Sequence, residues 1–212
     1  FDARSSSLEA QVANLSDEIA YYSHDLDDGI ESGLLTEKEL RKHVRIWRNA
    51  HRSVNRAHGE MADESRRYFI IRCIIDTQVK DVVRSADKRI LDSGVKSADD
   101  VRLQPKGLVQ YSDKRRQENL ELRDYLYKNL YYNPVVHEPN MKAVGLLEDL
   151  FEYFLNHHQA VGDPFRRCAR KDGWHRAICD YLAGMTDRFV LKAHERYILG
   201  RASETDDFYV GY

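Results

Sequence analysis

Cysteine and proline are scarce in this chain, and no long apolar run crosses it. Cys73, Cys168 and Cys179 are the three cysteines among 212 residues. They are too few and too scattered for a disulfide framework. None forms a C-x-x-C pair, which argues against a structural zinc site. Free thiols fit a reducing compartment, so a cytoplasmic location is expected. The most apolar stretch, Tyr68 to Ile75, is interrupted by Arg72 and falls far short of the roughly 20 residues a membrane span needs. No signal peptide is evident. Charge of one sign is also missing: 33 Lys and Arg against 35 Asp and Glu leave a net charge of -2. That argues against a protein built mainly to grip nucleic acid by bulk charge, and it leaves a local basic pocket and nucleic acid as a partner open. The chain opens on Phe1 rather than Met, which leads us to expect further sequence ahead of it.

What remains is helical in pattern. With four prolines and eleven glycines, polar breakers separate long stretches of three- and four-residue apolar spacing. Ser6 and Glu9 have capping-box spacing and open a helix whose stripe is Leu8, Val12, Leu15, Ile19 and Tyr22. It ends near Asp27-Asp28-Gly29. Thr36 and Glu39 repeat the signal and open a helix with Leu40, Val44, Trp47 and Val54 on its apolar side. The longest helix is expected over 63–92, with Phe69, Ile70, Ile74, Val79, Val82, Val83 and Ile90 toward the core. Residues 94–112 read as a loop, with room for short strand pieces near Val101 or Leu108. Further helices are expected over 113–130, 140–157 and 173–199, interrupted at Asn133-Pro134 and Gly162-Asp163-Pro164. The tail from Arg201 to Tyr212 reads as an extension or an oligomer contact. Nothing alternates with a period of two over a strand's length. The expected fold class is all-α, built of long packed helices.

The first helix carries the most chemistry. Asp17, Tyr21 and Asp25 follow one another at i, i+4 and i+8, on one slowly turning face and about 6 Å apart along the axis. Two carboxylates about 12 Å apart with a phenol between them read either as a solvated acidic face or as a site reaching from a phosphate-bound metal to a sugar hydroxyl. His24 and Asp25 form a His-Asp dipeptide. Adjacent helical residues diverge by about 100°, so if Asp25 faces a pocket, His24 points elsewhere. Arg41 to Arg67 is rich in arginine and reads as a solvated face or a nucleotide or nucleic-acid surface between subunits. Lys114-Arg115-Arg116 has the same two readings. His157 and His158 read as solvated or capping residues near a helix end. Tyr181, Met185 and Phe189 share a face at four-residue spacing and read as core.

Three stretches resemble a known family in its own order. Ser7 through Ile30 is similar to the segment that ends the HD core of bacterial dGTP triphosphohydrolase-like proteins. Leu126-Tyr-Lys-Asn-Leu-Tyr131 and Asp180-Tyr-Leu-Ala-Gly-Met-Thr-Asp-Arg-Phe189 are the other two. The resemblance implies the C-terminal part of an HD-superfamily phosphohydrolase: 1–30 the last helix of the HD core, 31–200 a helical region, 201–212 a polar tail. It implies that Asp17 is the last aspartate of the family's His…His-Asp…Asp metal site, and that Tyr21 and Asp25 contact the nucleotide. The tyrosine would lie against sugar and phosphates, and the aspartate would accept from the 3′-hydroxyl. The SAM-and-HD-domain dNTPase of animals has the same Asp-x3-Tyr-x3-Asp spacing and a pocket Arg and Tyr eight residues apart, which Arg123 and Tyr131 match. Lys128 is the alternative cation. Of the family's four metal ligands this sequence holds one, and His24-Asp25 is not the family's metal-binding His-Asp.

By that resemblance the intact enzyme hydrolyses a dNTP to deoxynucleoside and inorganic triphosphate, using Mn²⁺ or Mg²⁺. A homo-oligomer and an allosteric dNTP are further implied partners, and no membrane is. This chain alone is expected to bind metal weakly and to lack activity. The rival reading is a non-catalytic helical module for regulation or assembly.

Overall fold

The computed structural model describes residues 5–201. All regular elements among them are helical: α1 (Leu8–Glu31), α2 (Glu37–His43), α3 (Arg45–His58), α4 (Asp63–Ser93), α5 (Ala98–Arg102), α6 (Asp113–Leu126), a π-helical turn (Tyr127–Tyr131), α7 (Pro134–Asn156), a 3₁₀ turn (His158–Ala160), α8 (Asp163–Asp172), α9 (Trp174–Ala183) and α10 (Asp187–Tyr197). The all-α expectation holds. No helix among the described residues is long and apolar enough to cross a membrane. The chain divides into two compact units, Phe1–Asn133 and Pro134–Tyr212. The tail read as an extension or oligomer contact lies, apart from Arg201, outside the described residues.

In the first unit α1 packs on α4 and α6, and α3 packs on α2, α4 and α6. Their shared core holds Leu26, Leu40, Trp47, Ile70, Ile74 and Leu126, all essentially inaccessible. Several expected details shift. Ser7, not Ser6, caps α1, accepting from the Ala10 amide at 3.3 Å. Ser6 instead lends its carbonyl to Gln11 Nε2 at 2.7 Å. Thr36 caps α2 as expected, accepting from the Glu39 amide. The helix then breaks at Val44, whose backbone is extended (φ -118°, ψ 107°). With no side-chain cap of its own, α3 is closed by the Glu121 carboxylate of α6, which accepts from the Arg45 amide and, at 2.7 Å, from Arg45 Nε.

The long helix α4 runs as expected, but its buried stripe is Ile70, Ile74, Gln78 and Ala86. Phe69, Val79 and Val83 are exposed. The four-residue row from Ile70 decides the buried side, and it admits polar Gln78, whose Oε1 accepts from the Tyr111 hydroxyl at 3.3 Å. Residues 94–112 contain no strand. Val101 lies in α5, which Ser97 and Asp100 close with a reciprocal capping box. Gly94 ends α4 at φ 66°, a left-handed C-cap that suits glycine.

The second unit has its own core: Leu150, Phe154, Val161, Ile178, Tyr181 and Ala193. α7 packs on α9 and α10, and α8 packs on α9. α7 begins at Pro134, ahead of the expected start at 140. Proline suits the first helical position, and Pro139 lies in the second turn without ending the helix. The Gly162–Pro164 break is real, but it leads into the unexpected helix α8. The stretch expected as one helix over 173–199 is two. Gly184 ends α9, and Thr186 caps α10 by accepting from the Phe189 amide. Tyr181, Met185 and Phe189 all pack in the core, though not on one continuous helical face. His157 and His158 are half-buried rather than solvated, and His157 has the expected capping role, its Nδ1 lying 2.9 Å from the Tyr153 carbonyl at the end of α7. The first stacks on Tyr153 at 4.1 Å, and the second lies parallel to Trp174 at 3.7 Å.

Candidate functional site

Ile19, Ser23 and Leu26 bury one side of α1, which leaves Asp17 and Tyr21 exposed and Asp25 half-buried on another. Farther along the helix Arg67 of α4 reaches Asp27 at 2.9 Å and Glu31 at 3.7 Å. The buried row Ile19, Ser23 and Leu26 sets the rotation of α1 and therefore the direction of Asp25, and these partly exposed pairs only tie its last turns to α4.

The residue that meets this face comes from 106 positions later. Tyr131 ends the π-helical turn after α6, and its hydroxyl donates to the Asp25 carboxylate. Its ring lies 6.2 Å from that of Tyr21, and Tyr127 packs edge-on against it at 5.0 Å. A π turn inserts one residue into the helical ladder and so rotates the residues after it. Leu130 thereby stays in the core while Tyr131 reaches α1. The Asn129 side-chain Nδ2 donates to the Tyr125 carbonyl at 2.8 Å, satisfying a backbone acceptor beside the turn. Burial pushes the Asp25 carboxyl above its usual range, opposed by the Tyr131 hydrogen bond and reinforced by Asp28. Burial and the bond to Asp25 both push the Tyr131 phenol up, so it remains a donor at neutral pH.

Tyr21, Asp25 and Tyr131 are thus one cluster. Arg123, on α6, stands opposite the adjoining face of α1. It is exposed, 3.6 Å from Asp124, and lines a cavity with Glu18 and Tyr22. Burial raises the Glu18 carboxyl and the Arg123 charge lowers it. Tyr22 links the two faces, its ring 5.6 Å from that of Tyr21. Lys128 is exposed on the π turn and His24 on α1; neither has a hydrogen bond or ion pair within the cluster. Asp17 is exposed. Among the described residues no group of three or more His, Cys, Asp or Glu could hold a metal ion. Glu18 carries no site signal in the sequence, and Tyr22 reads there only as part of the α1 apolar stripe. Proximity to Asp17 and Tyr21 is no signal, since a residue one step along a helix belongs to another face.

Comparison with known proteins bears on the same stretches. Residues 109–196 match the phosphohydrolase-associated domain. Curated relatives carry the name deoxyguanosinetriphosphate triphosphohydrolase-like protein. The one from Bordetella pertussis is 39% identical over 92% of this chain and 50% of its own length. That from Azoarcus is 37% identical over 90% and 49%, and that from Geobacter sulfurreducens 34% over 89% and 49%. The chain spans about half the length of these relatives, and the matched half is their C-terminal portion.

Proposed function

Because this chain is kin to the C-terminal portion of the dGTP triphosphohydrolase-like family, we propose that it supplies the sugar-facing wall of a metal-dependent dNTP triphosphohydrolase that releases deoxynucleoside and inorganic triphosphate. The observation that carries the reading is the Asp25–Tyr131 hydrogen bond beside the exposed Tyr21 ring. In this reading Asp25 accepts from the deoxyribose 3′-hydroxyl. Tyr21 and Tyr131 flank the sugar and leave no room for a 2′-hydroxyl. Arg123 neutralises phosphate charge from the adjoining face. Asp17 is one hard oxygen ligand. A single exposed carboxylate cannot replace the water shell of Mg²⁺ or Mn²⁺, so these residues do not make a metal site by themselves. The remaining ligands, in this proposal, come from outside the chain, and no chemical step is assigned to these residues alone.

Titration of the chain with dGTP tests this. We expect weak saturable binding that loses about tenfold in Asp25→Asn or Tyr131→Phe, the scale of one hydrogen bond to a charged group. With Mn²⁺ added, no inorganic triphosphate should appear. Binding indifferent to both substitutions, or triphosphate release by the chain alone, would contradict the proposal.

A further inference from the structure

The acidic residues that balance this chain's charge are missing from one stretch. From Arg41 to His58 no Asp or Glu occurs, while Arg41, Lys42, Arg45, Arg48, Arg52 and Arg56 do. Folding turns that stretch into a surface. Ile46, Trp47, Ala50 and Val54 bury one side of α3, and the arginines line the other. Arg48, Arg52 and Arg56 follow at four-residue spacing, about 6 Å apart along the axis. Among the described residues, Arg45 alone of the six cations has a carboxylate partner, Glu121 of α6 at 2.7 Å. Arg48 Nη1 donates to the Arg41 and Lys42 carbonyls at 3.4 and 3.3 Å, and Arg52 Nη2 donates to Asn49 Oδ1 at 2.8 Å. Neutral acceptors thus orient these guanidiniums and leave their charge uncompensated.

One flank of α3 meets α6. Arg45 pairs with Glu121, and Asn49 Nδ2 donates to Glu118 Oε1 at 3.4 Å, so the two helices run antiparallel. This register sets Lys114, exposed and one turn before Glu118, alongside the Arg52 turn of α3. The opposite flank meets α4 and supplies a second, independent observation. His58 at the end of α3 stacks on Phe69 of α4 at 4.7 Å. Phe69 meets Tyr68 edge-on at 5.8 Å, and Arg72 lies 5.4 Å from the centre of the Tyr68 ring. All four are exposed, Tyr68 by 56% and Phe69 by 37%. Rings that touch one another on open surface form a patch, which single exposed residues do not.

We infer that this surface binds single-stranded nucleic acid, its phosphates along Arg48, Arg52, Arg56 and Lys114 and its unstacked bases on the Tyr68–Phe69–His58 row. Cations that track a backbone beside aromatic faces that take bases are the means by which single strands are held without regard to sequence. A duplex keeps its bases stacked on one another and away from the rings. An acidic peptide would use the arginines and leave the rings idle. The net charge of -2 does not oppose this. Salt screens charges beyond about 8 Å, and the stretch itself carries no acid. None of these residues belongs to the Tyr21–Asp25–Tyr131 cluster, so the inference stands apart from the proposed reaction.

Fluorescence anisotropy of a labelled oligothymidylate of about 20 nucleotides, longer than the roughly 4–16 that one module covers, is the test, with the chain as titrant at low salt. Saturable binding is expected, its log affinity falling against log salt by about 0.7 for each phosphate neutralised. Arg52→Gln combined with Arg56→Gln should weaken it about tenfold or more and reduce that slope by about 1.4. Tyr68→Ala should weaken it about fivefold or more and leave the slope unchanged, because stacking carries no charge. All three positions are exposed, and the variants should keep the parental helical circular dichroism spectrum. A duplex of the same length should bind more weakly, and polyglutamate should fail to compete. An oligouridylate of equal length separates the two sources of strand: the tighter binder of the pair names RNA or DNA as the ligand. The inference is overturned by absence of saturable binding, by binding that ignores either variant, or by a duplex or polyglutamate that matches the single strand. Binding that falls with Asp25→Asn overturns it equally, since that would place the strand on the nucleotide cluster instead.

Discussion

Asp25 is held between opposing influences. Burial favours its protonated form, and the Tyr131 hydroxyl favours the carboxylate. Removing the hydroxyl in Tyr131→Phe should therefore raise the Asp25 pKa further, a shift that carboxyl ¹³C NMR titration reads directly. Linkage fixes the sign of the stability effect. A carboxyl whose folded-state pKa lies above its ordinary 3.8 binds its proton more tightly when folded. Its contribution is most favourable below the unfolded pKa and declines as pH rises through the folded one. In Asp25→Asn the carboxamide oxygen can still accept from the Tyr131 hydroxyl. The variant should therefore flatten that decline and be relatively more stable at neutral pH than at pH 3. An Asp25 that titrates below 3.8, or a variant with an unchanged pH slope, would show that burial is not the dominant influence. At this scale the sequence was informative for α1. Spacing alone put Asp17, Tyr21 and Asp25 on one face. The partnership with Tyr131 across 106 residues came only through family resemblance, because helical periodicity holds no information about which distant turn will arrive. The cavity at Arg123 was invisible for the same reason: its walls come from residues 6–22, 89 and 106–123.

Helix breaks show where local signals stop. Breaks marked by glycine or proline were readable at Asn133-Pro134 and Gly162–Pro164, because these residues act through their own backbone. The break at Val44 carries no such mark. It depends on Glu121, brought by α6 to cap α3. The π turn is equally unmarked, since Tyr127–Tyr131 has ordinary helix-compatible residues. Close approach between elements is a third thing the sequence does not announce, and Gly29 is the clearest instance. Near the end of α1, a Cβ at this position would come within 2.6 Å of Leu35 Cδ1 and 2.8 Å of Leu35 Cγ. Leu35 is buried, and its amide donates to the Gly29 carbonyl at 2.7 Å. Alanine would add about 1 kcal/mol of helix preference, but overpacking a core contact costs about 1–3 kcal/mol. Gly29→Ala should therefore destabilise the first unit by about 1 kcal/mol, and Gly29→Val by more. Urea unfolding followed by circular dichroism would measure both. A stabilised Gly29→Ala would mean that Leu35 repacks without penalty.

At the scale of the whole molecule, the chain has two separate cores rather than one, and each can be damaged on its own. The first centres on Trp47, which is fully buried, and the second on Phe154. Phe154 packs edge-on against Tyr181 at 5.3 Å and Tyr197 at 5.4 Å. Truncating a buried phenylalanine costs about 3–5 kcal/mol through lost transfer energy and the cavity left behind. The chain's two tryptophans make the location of that loss readable, because Trp47 lies in the first unit and Trp174 in the second. Trp174→Phe leaves Trp47 as the sole reporter and keeps an aromatic ring to stack on His158. In that background Phe154→Ala should leave the unfolding midpoint seen by Trp47 close to its original value. With both tryptophans present, the Trp174 signal should move to much lower denaturant, so that one transition becomes two. Domains with their own cores are expected to behave this way. If the Trp47 midpoint instead drops together with that of Trp174, the two cores unfold as one cooperative body. The separate description of the units would then stand as geometry without energetic meaning.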